Sequence, residues 1–266
     1  MIKTLCFSGG SMKGVAFLGA LAYLQETEQL AHVEACIGTS IGALAALMFV
    51  TDTHNTIFPL FLQEYTKLLP RYSLTTLTRL YGLDNMATMR RFITEHILGG
   101  DAGTTFKTLF ERAPTKLSVV ATSMVTKTAT IFNHIETPDV LVIDAVLASA
   151  AIPFVYTPIV IDGVHYLDGG LVCHFPITHC DPASTLGLYL YSEPQSANVG
   201  KLSVYQFALH VFDIVFYHSE NTMRQNYGAY KVHEIIFQDK MSLKFLDLKH
   251  SKETLKSIYD LGYNSF

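Results

Sequence analysis

The chain has 266 residues, 49% of them hydrophobic and 16% charged, with a formal net charge of −4 and a mean hydropathy of +0.27. That length admits one large domain or two small ones, and the apolar share is ample for a sizeable core. The acidic balance and the lack of a basic run argue against a nucleic-acid partner.

Residues 2–7 are an apolar run ending at Ser8-Gly9-Gly10, which predicts a buried strand opening into a tight loop. Residues 13–30 are good helix formers whose apolar face turns polar at Gln25-Glu26. Their apolar part, 15–24, follows Lys3 and Lys13 and contains Ala20-Leu21-Ala22, features shared with a secretory leader. Gly9-Gly10-Ser11 interrupts its front, so a buried helix is the reading kept. Residues 34–38 predict a second strand running into Thr39-Ser40-Ile41-Gly42, and 43–50 a buried helix. Strand, loop, helix, strand, turn, helix is the rhythm of a parallel sheet with crossover helices.

Residues 52–105 are more polar, with amphipathic pieces at 57–69 and 85–98 closed by Gly99-Gly100-Asp101, and are expected to form a helical cap insertion. Its apolar positions around Phe58-Phe61-Leu62 and Phe92-Ile93 suit lipid contact and suit core packing equally. Strands follow at 117–122 and 129–132, then a helix at 139–149. The stretch 140–161 is long enough to span a bilayer, but Asp144, Pro153 and Pro158 favour an interior helix followed by a strand. Residues 158–167 predict a hairpin around Asp162-Gly163. A strand (185–191), a polar loop containing Pro194 (192–200), a long aromatic-rich helix (202–227), a strand (232–237) and a short helix (252–261) complete the pattern. No repeat breaks it, and 1–266 reads as a single domain. Seventeen Phe and fourteen Tyr suit a packed core or an acyl-chain pocket. Cys6, Cys36, Cys173 and Cys180 form no C-x-x-C pair and read as thiols in a reducing compartment.

Three motifs carry chemistry. In Gly38-Thr39-Ser40-Ile41-Gly42, glycines flank a serine two residues to each side, at the junction of an apolar strand and an apolar helix. Such a sharp turn projects a serine Oγ freely, and the helix N-terminus directs partial positive charge at the reaction centre. The rival is a mere small-residue turn. Gly9-Gly10-Ser11-Met12-Lys13-Gly14 joins the first strand to the first helix and offers successive backbone N–H groups to an anion. Neither nucleotide-loop spacing, G-x-x-x-x-G-K-[ST] or G-x-G-x-x-G, can be read from it. Tyr166-Leu167-Asp168-Gly169-Gly170 sets a carboxylate on a turn that backbone can approach closely, with an ordinary Asp-Gly turn as the alternative. No H-E-x-x-H, EF-hand-like loop or clustered Cys/His spacing appears, so chemistry without metal or cofactor is expected.

These motifs in this order, with Ala148-Ser149-Ala150-Ala151-Ile152-Pro153 ahead of Asp168, resemble the patatin-like phospholipase family over residues 5–176. The resemblance implies a three-layer α/β/α fold with a mainly parallel central sheet, Ser40 as nucleophile and Asp168 as the base of a two-residue dyad. It also implies an oxyanion hole around Gly9, Gly10 and Ser11, and a phospholipid or other lipid acyl ester as substrate at membrane or micelle interfaces. Two positions depart from the family pattern. Ser11 stands where a third glycine is usual, which requires a φ open to an L-residue. His174 stands where many members carry Asn, and a lone histidine is more often structural than catalytic. Lys13 reads as a solvated lysine at a helix start, with steering of an anionic headgroup as the second reading.

The expectation is a carboxylic-ester hydrolase working through an acyl-serine, located in the cytoplasm and peripheral to membranes, with its oligomeric state open. Two alternatives stay open. One is an esterase of the α/β-hydrolase type with a Ser-Asp-His triad, disfavoured by so early an elbow. The other is a catalytically silent lipid-surface module.

Overall fold

A computed structural model describes residues 1–71, 73–192, 200, 202–225, 227–237 and 249–266. Strand β1 (Thr4–Phe7) passes through a 3₁₀ turn (Ser11–Gly14) into α1 (Val15–Glu26), and β2 (Ala35–Thr39) turns directly into α2 (Ile41–Val50). Next come α3 (Ile57–Leu68), α4 (Leu74–Leu80), β3 (Gly82–Asp84), α5 (Ala87–His96) and α6 (Phe106–Arg112). The strands β4 (Lys116–Ser123) and β5 (Ala129–Asn133) precede α7 (Val142–Ser149), β6 (Phe154–Tyr156) and the hairpin of β7 (Ile159–Ile161) with β8 (Val164–Asp168). Last are β9 (Thr185–Ser192), α8 (Val204–Arg224), β10 (Lys231–Phe237) and α9 (Lys252–Tyr263).

The long apolar and amphipathic segments therefore fold as their periodicity predicts. The first helix is shorter than expected at both ends: the chain tightens into the 3₁₀ turn before α1 begins, and Glu28 at φ 57° leaves the helical conformation just after Glu26. Two seven-residue helices, α4 and α6, were not legible. Each is too short to show a period, but Ser73 and Thr105 cap them by accepting from the N–H groups of Thr76 and Thr108. The strands β3 and β6 pair with each other in a separate two-stranded sheet. Residues 193–199, with Pro194 in the expected polar loop, lie outside the described residues.

The main sheet runs β10-β9-β1-β2-β4-β8-β7, with β5 also on β4. Five strands, β10, β9, β1, β2 and β4, are mutually parallel; β5 and β8 run antiparallel to them, and β7, antiparallel to β8, returns to their direction. Pleat alternation sends Leu5, Phe7, Cys36, Val119 and Leu188 into a large core shared with α1, α2, α7 and α9. Cys6, Ile37, Val120 and Tyr189 point to the other face, where Cys173, Phe175 and Ile177 cover them. Strands buried on both faces read as unbroken apolar runs, as these do. The helical insertion 52–105 adds its apolar faces to the large core: Tyr65, Phe92 and Ile93 are buried there, and Phe58 stacks on Tyr259 at 4.4 Å between ring centroids. Helices α1 and α9 touch backbone to backbone. A Cβ on Gly19 would lie 2.0 Å from the Tyr259 carbonyl oxygen, and one on Gly262 1.9 Å from that of Ala16.

One feature of the register positions the site. Along β4, Thr39 of β2 pairs with Val120, and Asp168 of β8 pairs with Ala121. Ala121 meets β5 on its opposite edge, as Val119 does. Strand β8 thus continues along the edge of β4 that β2 vacates as it turns away at Ser40.

Candidate active site

Ser40 occupies the turn between β2 and α2 with φ 56° and ψ −123°, a conformation costly for a residue bearing a Cβ. The turn closes because its glycines lack side chains. A Cβ on Gly38 would sit 2.2 Å from the Gly42 carbonyl oxygen, and one on Gly42 2.4 Å from that of Ser8. The Ser40 N–H donates to Ser149 Oγ at 2.7 Å, and Ser149 donates in turn to the Val120 carbonyl at 2.5 Å. Thr39 anchors the other side through its hydroxyl, which donates to the Cys173 carbonyl at 2.9 Å.

The Ser40 hydroxyl donates to Asp168 Oδ2 at 2.7 Å. Asp168 Oδ1 accepts the Gly170 N–H at 2.8 Å, and the Asp168 carbonyl accepts from the Thr122 hydroxyl at 2.8 Å. The carboxyl is 1% exposed. Burial raises its pKa to about 7, against the opposing pull of the Ser40 and Gly170 hydrogen bonds. Gly169 fits only without a side chain, since its Cβ would lie 2.3 Å from the Val120 carbonyl oxygen.

The glycine-rich loop lies beside this pair, and its members differ in role. The Gly9 N–H is already engaged by the His174 carbonyl at 2.9 Å. The N–H groups of Gly10 and Ser11 make no hydrogen bond among the described residues. Ser11 does adopt the conformation its departure from glycine required, at φ 53°, and its Oγ is buried without a partner. Met12 packs against the large core, and Gly14 lies where a Cβ would be 2.1 Å from Ile41 Cγ1. Lys13 is not a solvated lysine. Its Nζ donates to Ser192 Oγ at 2.7 Å, and burial lowers its pKa despite the opposing charges of Glu220 and Asp213 on α8.

His174 is buried against Gly9, with Nδ1 making no hydrogen bond among the described residues. Burial, aided by the Lys13 charge, lowers its pKa to about 4, so the ring is neutral near pH 7. A small cleft is lined by Gly9, Gly10, Ser11, Ser40, Ile152, Asp168, His174 and Phe216. Two of these, Ile152 and Phe216, escaped sequence reasoning in this role. Phe216 comes from α8 and reaches within 2.4 Å of where a Cβ on Gly170 would stand. No residue of 52–105 is among them. Among the described residues, no group of three or more His, Cys, Asp or Glu side chains is placed to hold a metal ion.

The elbow, the carboxylate and the loop are the parts of a known family. The sequence model of the patatin-like phospholipases matches residues 5–181, and the chain belongs to that family. It is 30% identical over 187 residues to a probable lipid hydrolase of Invertebrate iridescent virus 6, covering 66% of this chain and 62% of that one. It is 27% identical over 186 residues to an uncharacterized protein of Acanthamoeba polyphaga mimivirus, covering 68% and 62%. The chain thus spans under two thirds of the length of these viral relatives. Among solved structures, VipD from Legionella pneumophila superposes with a TM-score of 0.62 at 16% identity, covering 99% of this chain and 66% of VipD. That likeness is one of fold.

Proposed function

We propose that the chain is a lipid acyl hydrolase of phospholipase A type, cleaving carboxylic esters of phospholipids or other lipids through an acyl-serine on Ser40. The observation that carries this reading is the 2.7 Å hydrogen bond from the Ser40 hydroxyl to Asp168, made at a strained elbow inside a cleft. Ser40 Oγ attacks the ester carbon as its proton passes to the Asp168 carboxylate. The Gly10 and Ser11 amides, which make no other hydrogen bond among the described residues, receive the oxyanion. Collapse expels the alcohol, which takes the proton back from Asp168. Water then attacks the acyl-serine with Asp168 again accepting a proton, which releases the fatty acid and restores the serine. A carboxyl with pKa about 7 is matched to this give and take near neutrality.

The dyad is favoured over a triad by the state of Asp168. Its two oxygens are taken by Ser40 and Gly170, which leaves no histidine between base and nucleophile. The family and the viral lipid-hydrolase relative support a lipid as the acyl donor. The test is labelling with a fluorophosphonate probe, alongside a lipid-ester panel, for wild type and Ser40→Ala. Wild type should be labelled and active, and Ser40→Ala neither. An unlabelled, inactive wild type would favour the silent lipid-surface module.

A further inference from the structure

Helix α8 is amphipathic the wrong way round for a helix that faces water. Val204, Phe207, Val211, Ile214 and Val215 recur at helical spacing along one face, and all are exposed. His218 and Thr222 continue that face. Asp213, Glu220 and Arg224 form a row on the opposite face, where Glu220 and Arg224 bond to the domain and the Asp213 side chain is 44% exposed. Glu220 accepts a hydrogen bond from the Tyr189 hydroxyl. Arg224 donates to Glu234 at 3.0 and 3.3 Å and stacks over the Tyr191 ring at 4.0 Å. Asp213 lies beside His210 at 3.8 Å, on the side facing Lys13. Between 203 and 222 the Asp, Glu, Lys and Arg residues are Asp213 and Glu220 alone, both on the face opposite the stripe. A surface helix ordinarily hides its apolar stripe and displays its charges.

The same helix reaches the reaction centre. Phe216, on its flank, lines the cleft with Ser40 and Asp168. Phe212 meets the partly exposed Phe154 edge-on at 5.5 Å, which widens the apolar surface beyond the helix. With 21 residues α8 is about 31 Å long, yet no described helix is apolar enough to cross a membrane. A helix with one exposed apolar face and its charges on the opposite one is built to lie in an interface.

We propose that the exposed stripe of α8 docks on a lipid surface and sets the mouth of the Ser40 cleft against it. This rests on the reading of the site as a lipid hydrolase, whose substrate must be drawn from such a surface. A protein partner is the poorer fit. Protein interfaces carry about one hydrogen bond per 100–200 Å², and this stripe offers few polar groups. Because it is uncharged, its attachment depends on apolar burial, so it should need no anionic lipid and resist salt.

The experiment measures co-sedimentation with phosphatidylcholine vesicles, using Ser40→Ala protein so that binding is independent of turnover. The double change Val211→Asp with Ile214→Asp should weaken partitioning about tenfold or more while leaving hydrolysis of a monomeric, water-soluble ester by the otherwise wild-type enzyme unchanged. As a second readout, Val211→Trp places a single tryptophan in a chain that has none, and brominated phosphatidylcholine should quench its fluorescence. Equal binding by the double variant, no quenching, or binding that appears only with anionic lipid and vanishes in salt overturns the proposal. A wild-type dimer that the double change makes monomeric, without vesicle binding, assigns the stripe to a second copy and also overturns it. Vesicle binding lost in the double variant upholds docking even if no ester is ever cleaved, in which case the reading of the chemistry is what fails.

Discussion

Ser149 holds Ser40 in its strained conformation through a single buried hydroxyl. Its Oγ accepts the Ser40 N–H at 2.7 Å and donates to the Val120 carbonyl at 2.5 Å. The end of α7, the Ser40 turn and the centre of β4 are thus tied at one atom, which is fully buried. The small residues around Ser149 in the Ala-Ser-Ala-Ala run let α7 come close enough to make this contact.

Ser149→Ala should leave the Ser40 N–H buried without an acceptor, at a cost of about 1–3 kcal/mol in denaturant unfolding. The turn should also lose definition, lowering kcat more than it raises KM. An unchanged kcat would show that the elbow holds its shape without the serine.

Asp168→Asn should depress ester hydrolysis nearly as far as Ser40→Ala, by roughly 10³ or more on the scale known for catalytic triads. His174→Ala should keep most activity, because the ring touches Gly9 of the loop and stands apart from the Ser40–Asp168 bond. Side-by-side kinetics of the three variants decide it. A His174→Ala enzyme as dead as Ser40→Ala, with its circular dichroism intact, would replace the dyad with a triad.

Because Asp168 must be ionised to accept the serine proton, kcat/KM should rise with pH through about 7 and then level off. Stability should run the other way. The folded carboxyl keeps its proton up to about 7, whereas the unfolded one loses it near 3.8, so the native state binds more protons in between and loses stability as pH rises across that window. Asp168→Asn should therefore melt higher than wild type at pH 8, with the gap shrinking towards pH 4.

His174 works in the opposite sense. Its folded pKa of about 4 lies below the ordinary 6.5, so the unfolded chain binds the extra proton first and stability falls as pH drops from 6.5 towards 4. Melting curves across that range should show a smaller acid loss for His174→Asn than for wild type. Equal slopes would mean the ring is hydrated or paired in solution.

Much of the site was legible because its signals are local. Glycines at fixed offsets from Ser40 and after Asp168 mark turns that only a narrow backbone approach demands, and the flanking apolar runs announce strand and helix. What stayed hidden depends on contacts far apart in sequence. Ser149 stood in a recognisable stretch, but its partner lies 109 residues earlier. The burial of His174 and Lys13 follows from how β9 and α8 close over the loop, which no periodicity encodes. An amphipathic pattern reveals that a helix has an apolar face but not what covers it. The faces at Phe58 and Phe92, candidates for lipid contact, turned into the core, and the face left open belongs to α8.

The close seating of α9 on α1 bears on how the protein is made. Helix α1 leaves a ribosome well before α9, and the surface that Gly19 and Gly262 bring together, with Tyr23 stacked on Phe266 at 5.1 Å, is complete only when residues past 260 have emerged. At about 5–20 residues per second, the apolar side of α1 stays uncovered for roughly ten seconds or longer. A nascent chain in that condition is a client for chaperones, and one stalled before α9 would be marked for aggregation or degradation even with Ser40 and Asp168 already synthesised.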